Sequence, residues 1–96
     1  MSLGIPGIIV RIEDRLNRIA TVCVCGVRRR IDISCIVDEA HPIDRCVGDW
    51  VLLHAGFALS RTDELHAKKM LQILEELVDM HEELRAMTEP ASLEVA

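Results

Sequence analysis

Hydrophobic and polar positions alternate from Ile5 onward. Ile8, Val10 and Ile12 fall on one parity and Ile9 and Arg11 on the other, until Glu13-Asp14-Arg15 breaks the run. A period of two with β-branched residues predicts a strand over residues 5–13. A second run covers 19–24, with Ala20, Val22 and Val24 on one face and Thr21 and Cys23 on the other. Cys25-Gly26 reads as a tight connection, because glycine tolerates positive φ. Beyond it Val27, Arg29, Ile31 and Ile33 alternate with Arg28, Arg30 and Asp32, and the face that Arg29 takes is open. Residues 38–48 are polar, contain Pro42 and Gly48, and form the longest predicted loop. A strand follows over 49–55, with Trp50, Leu52 and His54 on one face and Val51, Leu53 and Ala55 on the other. Gly56 interrupts it, and residues 57–60 read as a short last strand.

The period then changes. Ala67, Met70, Leu71, Leu74, Leu77, Val78 and Leu84 recur at helical spacing, opposite Lys68, Lys69, Glu75, Glu76, Asp79 and Glu82. Thr62 or Asp63 is the predicted cap, and Asp63-Glu64 puts negative charge in the first turn. A helix of roughly 20 to 25 residues spans about 30–38 Å. That is longer than a small barrel needs for cover, so its far end is expected to project toward a partner or a second copy. Short successive strands followed by one helix predict a mainly β fold. It is a small OB-like β-barrel over residues 1–61 with an N-terminal functional arm, then a long C-terminal amphipathic helix over 62–87. Residues 88–96, with Pro90, are expected to be a disordered tail.

Composition narrows the function. The chain has 96 residues, half of them hydrophobic, enough for one core. Trp50 and Phe57 are the only aromatics, so the core is aliphatic. The net charge of −5 opposes nucleic-acid binding, which needs a basic surface; an OB-type binder would also need stacking aromatics. Arg28-Arg29-Arg30 reads as a solvated strand edge or as a contact for an acidic partner. No apolar run has the length of a membrane span, and the N-terminus lacks a signal-peptide pattern. The expected compartment is the cytoplasm, where the four cysteines are reduced thiols.

Few residues offer chemistry. His54 is either a tolerated strand histidine or an imidazole ligand and proton handler. Ala55 and Gly56 beside it leave room for a ligand or another backbone. His41, in the loop, and His66 and His81, on the helix, are read as surface groups. Cys23 and Cys25 lie two apart on a strand and so on one side. A zinc-stapled interaction module using Cys23, Cys25, Cys46 and His41 is a rival reading, although structural zinc sites favour two Cys-x2–4-Cys pairs, and the plainer reading is that the cysteines are small buried or half-buried residues. No phosphate loop, Ser-His-Asp set or acid pair is recognisable, so an enzyme is not indicated.

Gly4-Ile5-Pro6-Gly7 at the start reads as a rigid corner, stiffened by Pro6 and turned by Gly4 and Gly7. Together with the segment from Gly48-Asp49-Trp50 through His54-Ala55-Gly56-Phe57 to Ser60, it resembles the HypC/HupF/HoxL family of [NiFe]-hydrogenase maturation chaperones. Val24-Cys25-Gly26-Val27-Arg28-Arg29 and the helix start at Asp63-Glu64 resemble it too, and the likeness covers roughly residues 1–80. The resemblance implies an OB-like barrel with a C-terminal helix and no catalysis. It implies two partners: the HypD-type scaffold, on which an iron carrying two cyanides and one carbon monoxide is built, and the hydrogenase large-subunit precursor. It implies iron as a transient Fe(CN)2CO group, held by the histidine that matches His54 and by a cysteine at position 2. The partner-binding residues it implies are Ser2, Leu3, Gly4, Ile5, Pro6, Gly7, His54, Gly56 and Phe57.

Position 2 departs from that pattern. The small Ser2 favours removal of Met1, leaving serine as the N-terminus. A thiolate is a soft, strongly donating ligand, whereas a serine hydroxyl stays protonated at neutral pH. Three readings are open: a serine introduced in place of cysteine, a natural paralogue that docks without carrying iron, or another thiol, with Cys46 as the stand-in. Homodimerisation through the helix is a further expectation.

Overall fold

The computed structural model describes residues 4–88, with side chains to Met80. Five strands come first: β1 (Ile5–Asp14), β2 (Ile19–Val24), β3 (Val27–Asp32), β4 (Trp50–His54) and β5 (Phe57–Thr62). One helix, α1 (Glu64–Thr88), follows. The strands close into a barrel in the order β1-β2-β3-β5-β4, with β4 returning to β1. This is the OB-like, mainly β architecture expected. The expected tail lies, from residue 89, outside the described residues.

β1 does not keep the strict alternation of its sequence. Ile9 pairs with Val22 and Arg11 with Thr21, so Val10 is an extra residue, and a second shift follows between Ile12 and Asp14. These bulges bend the strand around the barrel. They also turn Ile12 to the same core as Ile9, correcting the expectation that the two occupy opposite faces.

Gly4-Ile5-Pro6-Gly7 is not a corner. Ile5, Pro6 and Gly7 are ladder residues of β1, opposite Leu53, Leu52 and Val51 of β4. Proline is tolerated because β2 pairs with β1 only from Ile8, so Pro6 sits where one neighbour is missing. Gly7 is needed for its size. A Cβ there would lie 2.6 Å from Val22 Cγ1 and 3.0 Å from Val24 Cγ2.

Ile9, Ala20, Val22, Val51 and Ala58 fill the interior. The connection between β3 and β4, residues 33–49, adds Ile33, Ile36 and Cys46 to that core. It holds two short 3-10 turns, Ser34–Ile36 and Ile43–Cys46. Asp32 accepts bonds from the Ser34 amide at 2.8 Å and the Ser34 hydroxyl at 2.6 Å, which starts the first turn. Of the two cap residues expected for α1, Asp63 takes the role: its Oδ1 accepts the His66 amide at 2.7 Å. The helix packs on β1 and β4, with Ala67 fully buried.

Gly7→Ala is expected to destabilise the barrel by about 1–3 kcal/mol, the usual cost of overpacking, seen as a lower urea midpoint with an unchanged slope. A second expectation concerns acid. Backbone and side-chain bonds from His66 hold the Asp63 carboxyl below its ordinary value, and bonds from Ser34 do the same for Asp32. A depressed folded pKa contributes stability that is full above the unfolded value near ~3.9 and is lost as pH falls through the folded one. Asp63→Asn, which still caps but carries no charge, should therefore be somewhat less stable than the parent at pH 7, and the gap should close as pH falls below about 4.

Candidate functional site

Two sharp turns frame one side of the barrel. β2 and β3 are joined by Cys25-Gly26, with φ of 50° and 82°, and β4 and β5 by Ala55-Gly56, with φ of 51° and 86°. Positive φ at both central positions is the type I′ pattern that fits the twist of paired strands. Glycine adopts it freely, but Cys25 and Ala55 hold a left-handed conformation that costs a side-chain-bearing residue about 1–2 kcal/mol. His54 is the last residue of β4, immediately before the strained Ala55.

β3 and β5 meet at a single pair, Asp32 with Phe57. From Val27 to Ile31, β3 is bonded to β2 alone. The barrel is therefore parted along that seam, and a concavity of about 210 Å³ opens there. Ile31 and Leu53 form its apolar floor, with Arg29, Ile5 and the His54-Ala55-Gly56 turn at its rim. Arg29 lies on the same parity as Ile31 and reaches the mouth, and it also borders the outer concavity that its two neighbours line. Its outward neighbours Arg28 and Arg30, with Arg11 of β1, flank Thr21 and Glu13 on the outer surface. A row of guanidinium groups on an unpaired edge also discourages strand addition by another chain.

His54 is exposed, and no hydrogen bond to its ring occurs among the described residues. Ile5 and Phe57, each nearly half exposed, stand near it as apolar surface. The β1–β4 ladder ends with Ile5 opposite Leu53, one residue before His54, and Gly4 lies against Leu52, where an added Cβ would come within 2.8 Å of the Leu52 Cβ. Gly4 also meets Met70, Ile73 and Leu74 of α1 around a small cavity of about 100 Å³. Gly4 thus sits on the helix side of β4. Ser2 and Leu3 lie outside the described residues. Ile5 and Gly56 line the mouth, Phe57 pairs with His54 beside it, Gly4 lies by the helix instead, and Pro6 and Gly7 are buried in the ladder.

The other candidates separate from this place. His66 is exposed and bonded to its cap residue Asp63 at 2.6 Å, and the side chain of His81 lies outside those described. His41 is not the surface group expected: it is half buried, its Nε2 2.7 Å from Asp49 Oδ2. Cys46 is fully buried. Burial pushes its thiol pKa up and the nearby Asp49 carboxylate adds to the effect. Asp49 and His54 are five residues apart on extended chain, about 16 Å at ~3.3 Å per residue. Cys46 is thus no stand-in for a thiol beside His54. Nor is the four-residue zinc set assembled. Among the described residues His41 and Cys46 gather with Asp49, without Cys23 or Cys25. Sequence reasoning had Arg29 only as one of the Arg28–Arg30 run and missed the strain at Ala55. The strain had a signal: a small residue before Gly56, between two alternating runs, is the sequence form of a two-residue hairpin.

Fold and mouth together define a small, single-barrel protein with an open seam and, at its rim, an exposed imidazole with no hydrogen bond among the described residues. No catalytic constellation was recognised in the sequence. No described helix is long and apolar enough to cross a membrane. The chain belongs to the HupF/HypC family, whose profile matches residues 1–74. It is 39% identical over 92 residues to the hydrogenase maturation factor HypC of Rhodobacter capsulatus, covering 96% of this chain and 94% of that one. It is 39% identical over 77 residues to the hydrogenase maturation factor HybG of Escherichia coli K12, covering 80% and 92%. To HypC of the same strain it is 33% identical over 87 residues, covering 91% and 93%.

Ala55→Gly is expected to raise stability by about 1 kcal/mol, because relief of the left-handed strain exceeds the added backbone entropy. Equilibrium denaturation measures it.

Proposed function

We propose that this protein is a hydrogenase maturation chaperone that docks its N-terminal segment and the His54 turn into a scaffold protein of the HypD type. It then docks into the precursor of the hydrogenase large subunit and assists delivery of the Fe(CN)2CO group. The observation that carries this reading is the β1–β4 register, which runs the N-terminal segment alongside the strand ending in His54. Family membership and the names of the relatives support it.

The physical sequence is short. Pairing of Ile5 with Leu53 fixes the start of the chain before any partner arrives, so less conformational entropy is lost on docking. Exposed Ile5 and Phe57 supply apolar contact, and His54 presents an unengaged imidazole to the iron group as cargo. Ser2 offers no thiolate, so the cargo is held by imidazole alone and weakly. Docking and iron carriage thereby become separable in this chain. Beyond the barrel, Ile73, Leu77, Val78 and Met80 leave the helix with an exposed apolar side that extends the docking surface.

Co-purification with each partner tests both halves. The parent chain should bind the scaffold with little iron. Ser2→Cys should increase bound iron and the infrared bands of CO and cyanide. His54→Ala in the Ser2→Cys background should cut retained iron about tenfold or more, equivalent to ~1.4 kcal/mol. Failure of the parent chain to bind either partner would overturn the docking role. Unchanged iron and infrared bands in Ser2→Cys would overturn the ligand role of position 2.

A further inference from the structure

The connection of residues 33–49 is long for a small barrel and has no strand ladder of its own, only two single turns. Connections of that length without regular structure are uncommon unless something else holds them. Three different metal-ligating side chains converge in it. His41 follows the first turn, Cys46 ends the second, and Asp49 stands at the entry to β4. One ligand atom from each lies within 4.8 Å of the other two. Cys46 is fully buried, His41 and Asp49 are each about a quarter exposed, and one side of the group therefore faces solvent.

We propose that His41, Cys46 and Asp49 form a zinc site, with water as the fourth ligand on the open side. Its role is to pin the connection to β4. It is independent of the His54 mouth. Thiolate, imidazole and carboxylate together select zinc among abundant divalent ions, since calcium and magnesium require oxygen donors. Tetrahedral zinc bonds of about 2.0–2.3 Å set donor atoms roughly 3.3–3.7 Å apart, so Nε2 and Oδ2, now 2.7 Å apart, open by about half an ångström to admit the ion.

The charges balance. Asp49 already carries its proton partner, the His41 ring, at 2.7 Å. On binding, zinc takes Nε2, and the hydrogen that Nε2 gives to Asp49 passes through solvent to Nδ1, so the imidazole stays neutral and releases no net proton. The Cys46 thiol, now 3.7 Å from the Pro42 carbonyl, gives its proton to solvent. Thiolate, carboxylate and a divalent ion then sum to zero in a partly dry place. Two more charges face the sulfur: the Asp38 carboxylate, which favours a cation, and the Arg61 guanidinium, which opposes it. Arg61 is itself engaged with the Ile36 carbonyl.

The set is distinct from sites that sequence spacing predicts, because His41, Cys46 and Asp49 do not form a Cys-x2–4-Cys pair. It is also distinct from the other thiols. Cys23 sits in β2 and Cys25 in a turn, and neither joins this group.

The experiment uses the full chain, stripped with a chelator and titrated with zinc chloride under reducing conditions, then with cobalt chloride. One equivalent of zinc should bind and release about one proton at neutral pH, as expected when a thiol becomes a ligand. Cobalt should give sulfur-to-metal charge-transfer absorption in the near ultraviolet and visible bands of four-coordinate intensity. A variant with Cys23, Cys25 and Cys35 all changed to serine should behave as the parent. Cys46→Ala should abolish the charge-transfer band and weaken zinc at least tenfold. Asp49→Asn and His41→Ala, on the half-exposed side, should each weaken zinc about tenfold, and they serve if Cys46→Ala does not fold. His54→Ala should leave the titration unchanged. Absence of stoichiometric zinc binding by the parent overturns the proposal. So does zinc binding that survives His41→Ala and Asp49→Asn, or that is lost with the triple serine variant.

Discussion

Ile8 pairs with Cys23 on one side and with Trp50 on the other, so β1 is the strand through which the sheet becomes a closed surface. The rest depends on that double pairing. It requires Gly7 to lie against Val22 and Val24 with no side chain between them. It requires β1 to bend, which the extra residue at Val10 permits. It also fixes where the N-terminus emerges, because the ladder to β4 reaches Ile5 opposite Leu53.

Closure is uneven, and the unevenness positions the site. Strands β1, β2 and β4 share long ladders, whereas β3 meets β5 at one pair. The mouth lies along this weak seam. It has an apolar floor from Ile31 and Leu53 and a rim holding Arg29 and the His54 turn. Strain is concentrated there too, in the left-handed backbone of Ala55 next to His54. A residue in that conformation persists because two flanking strands fix it, and it holds the turn tightly beside the imidazole. The opposite region of β4 is organised differently. Asp49, at its start, engages His41 and lies near the buried Cys46, so the two ends of one short strand carry separate chemistry.

The helix adds length rather than enclosure. Ala67 seals against the barrel, and Gly4 lies beside Met70 and Leu74. Past that contact Leu77, Val78 and Met80 are at least half exposed. A segment so apolar on an extended helix fits a protein whose work is to meet other proteins.

Much of this was legible in the sequence. Period-two alternation located five strands, and the switch to helical spacing located α1, because side-chain direction follows backbone geometry at short range. The Gly4-to-Gly7 stretch and the segment around His54 carried the family likeness. What local pattern left open was anything set by contact between distant residues. It misread Gly4-Ile5-Pro6-Gly7 as a corner, since nothing local says that Val51 to Leu53 will pair with it. It put Ile9 and Ile12 on opposite faces, since a bulge is a response to closure. It took His41 for a surface group and left Cys46 open between a small buried residue and a spare thiol, because their burial depends on how residues 33–49 fold back against β4. Those outcomes belong to the tertiary structure. Pairing and desolvation are decided by what comes to lie opposite a residue, which its neighbours in the chain do not specify.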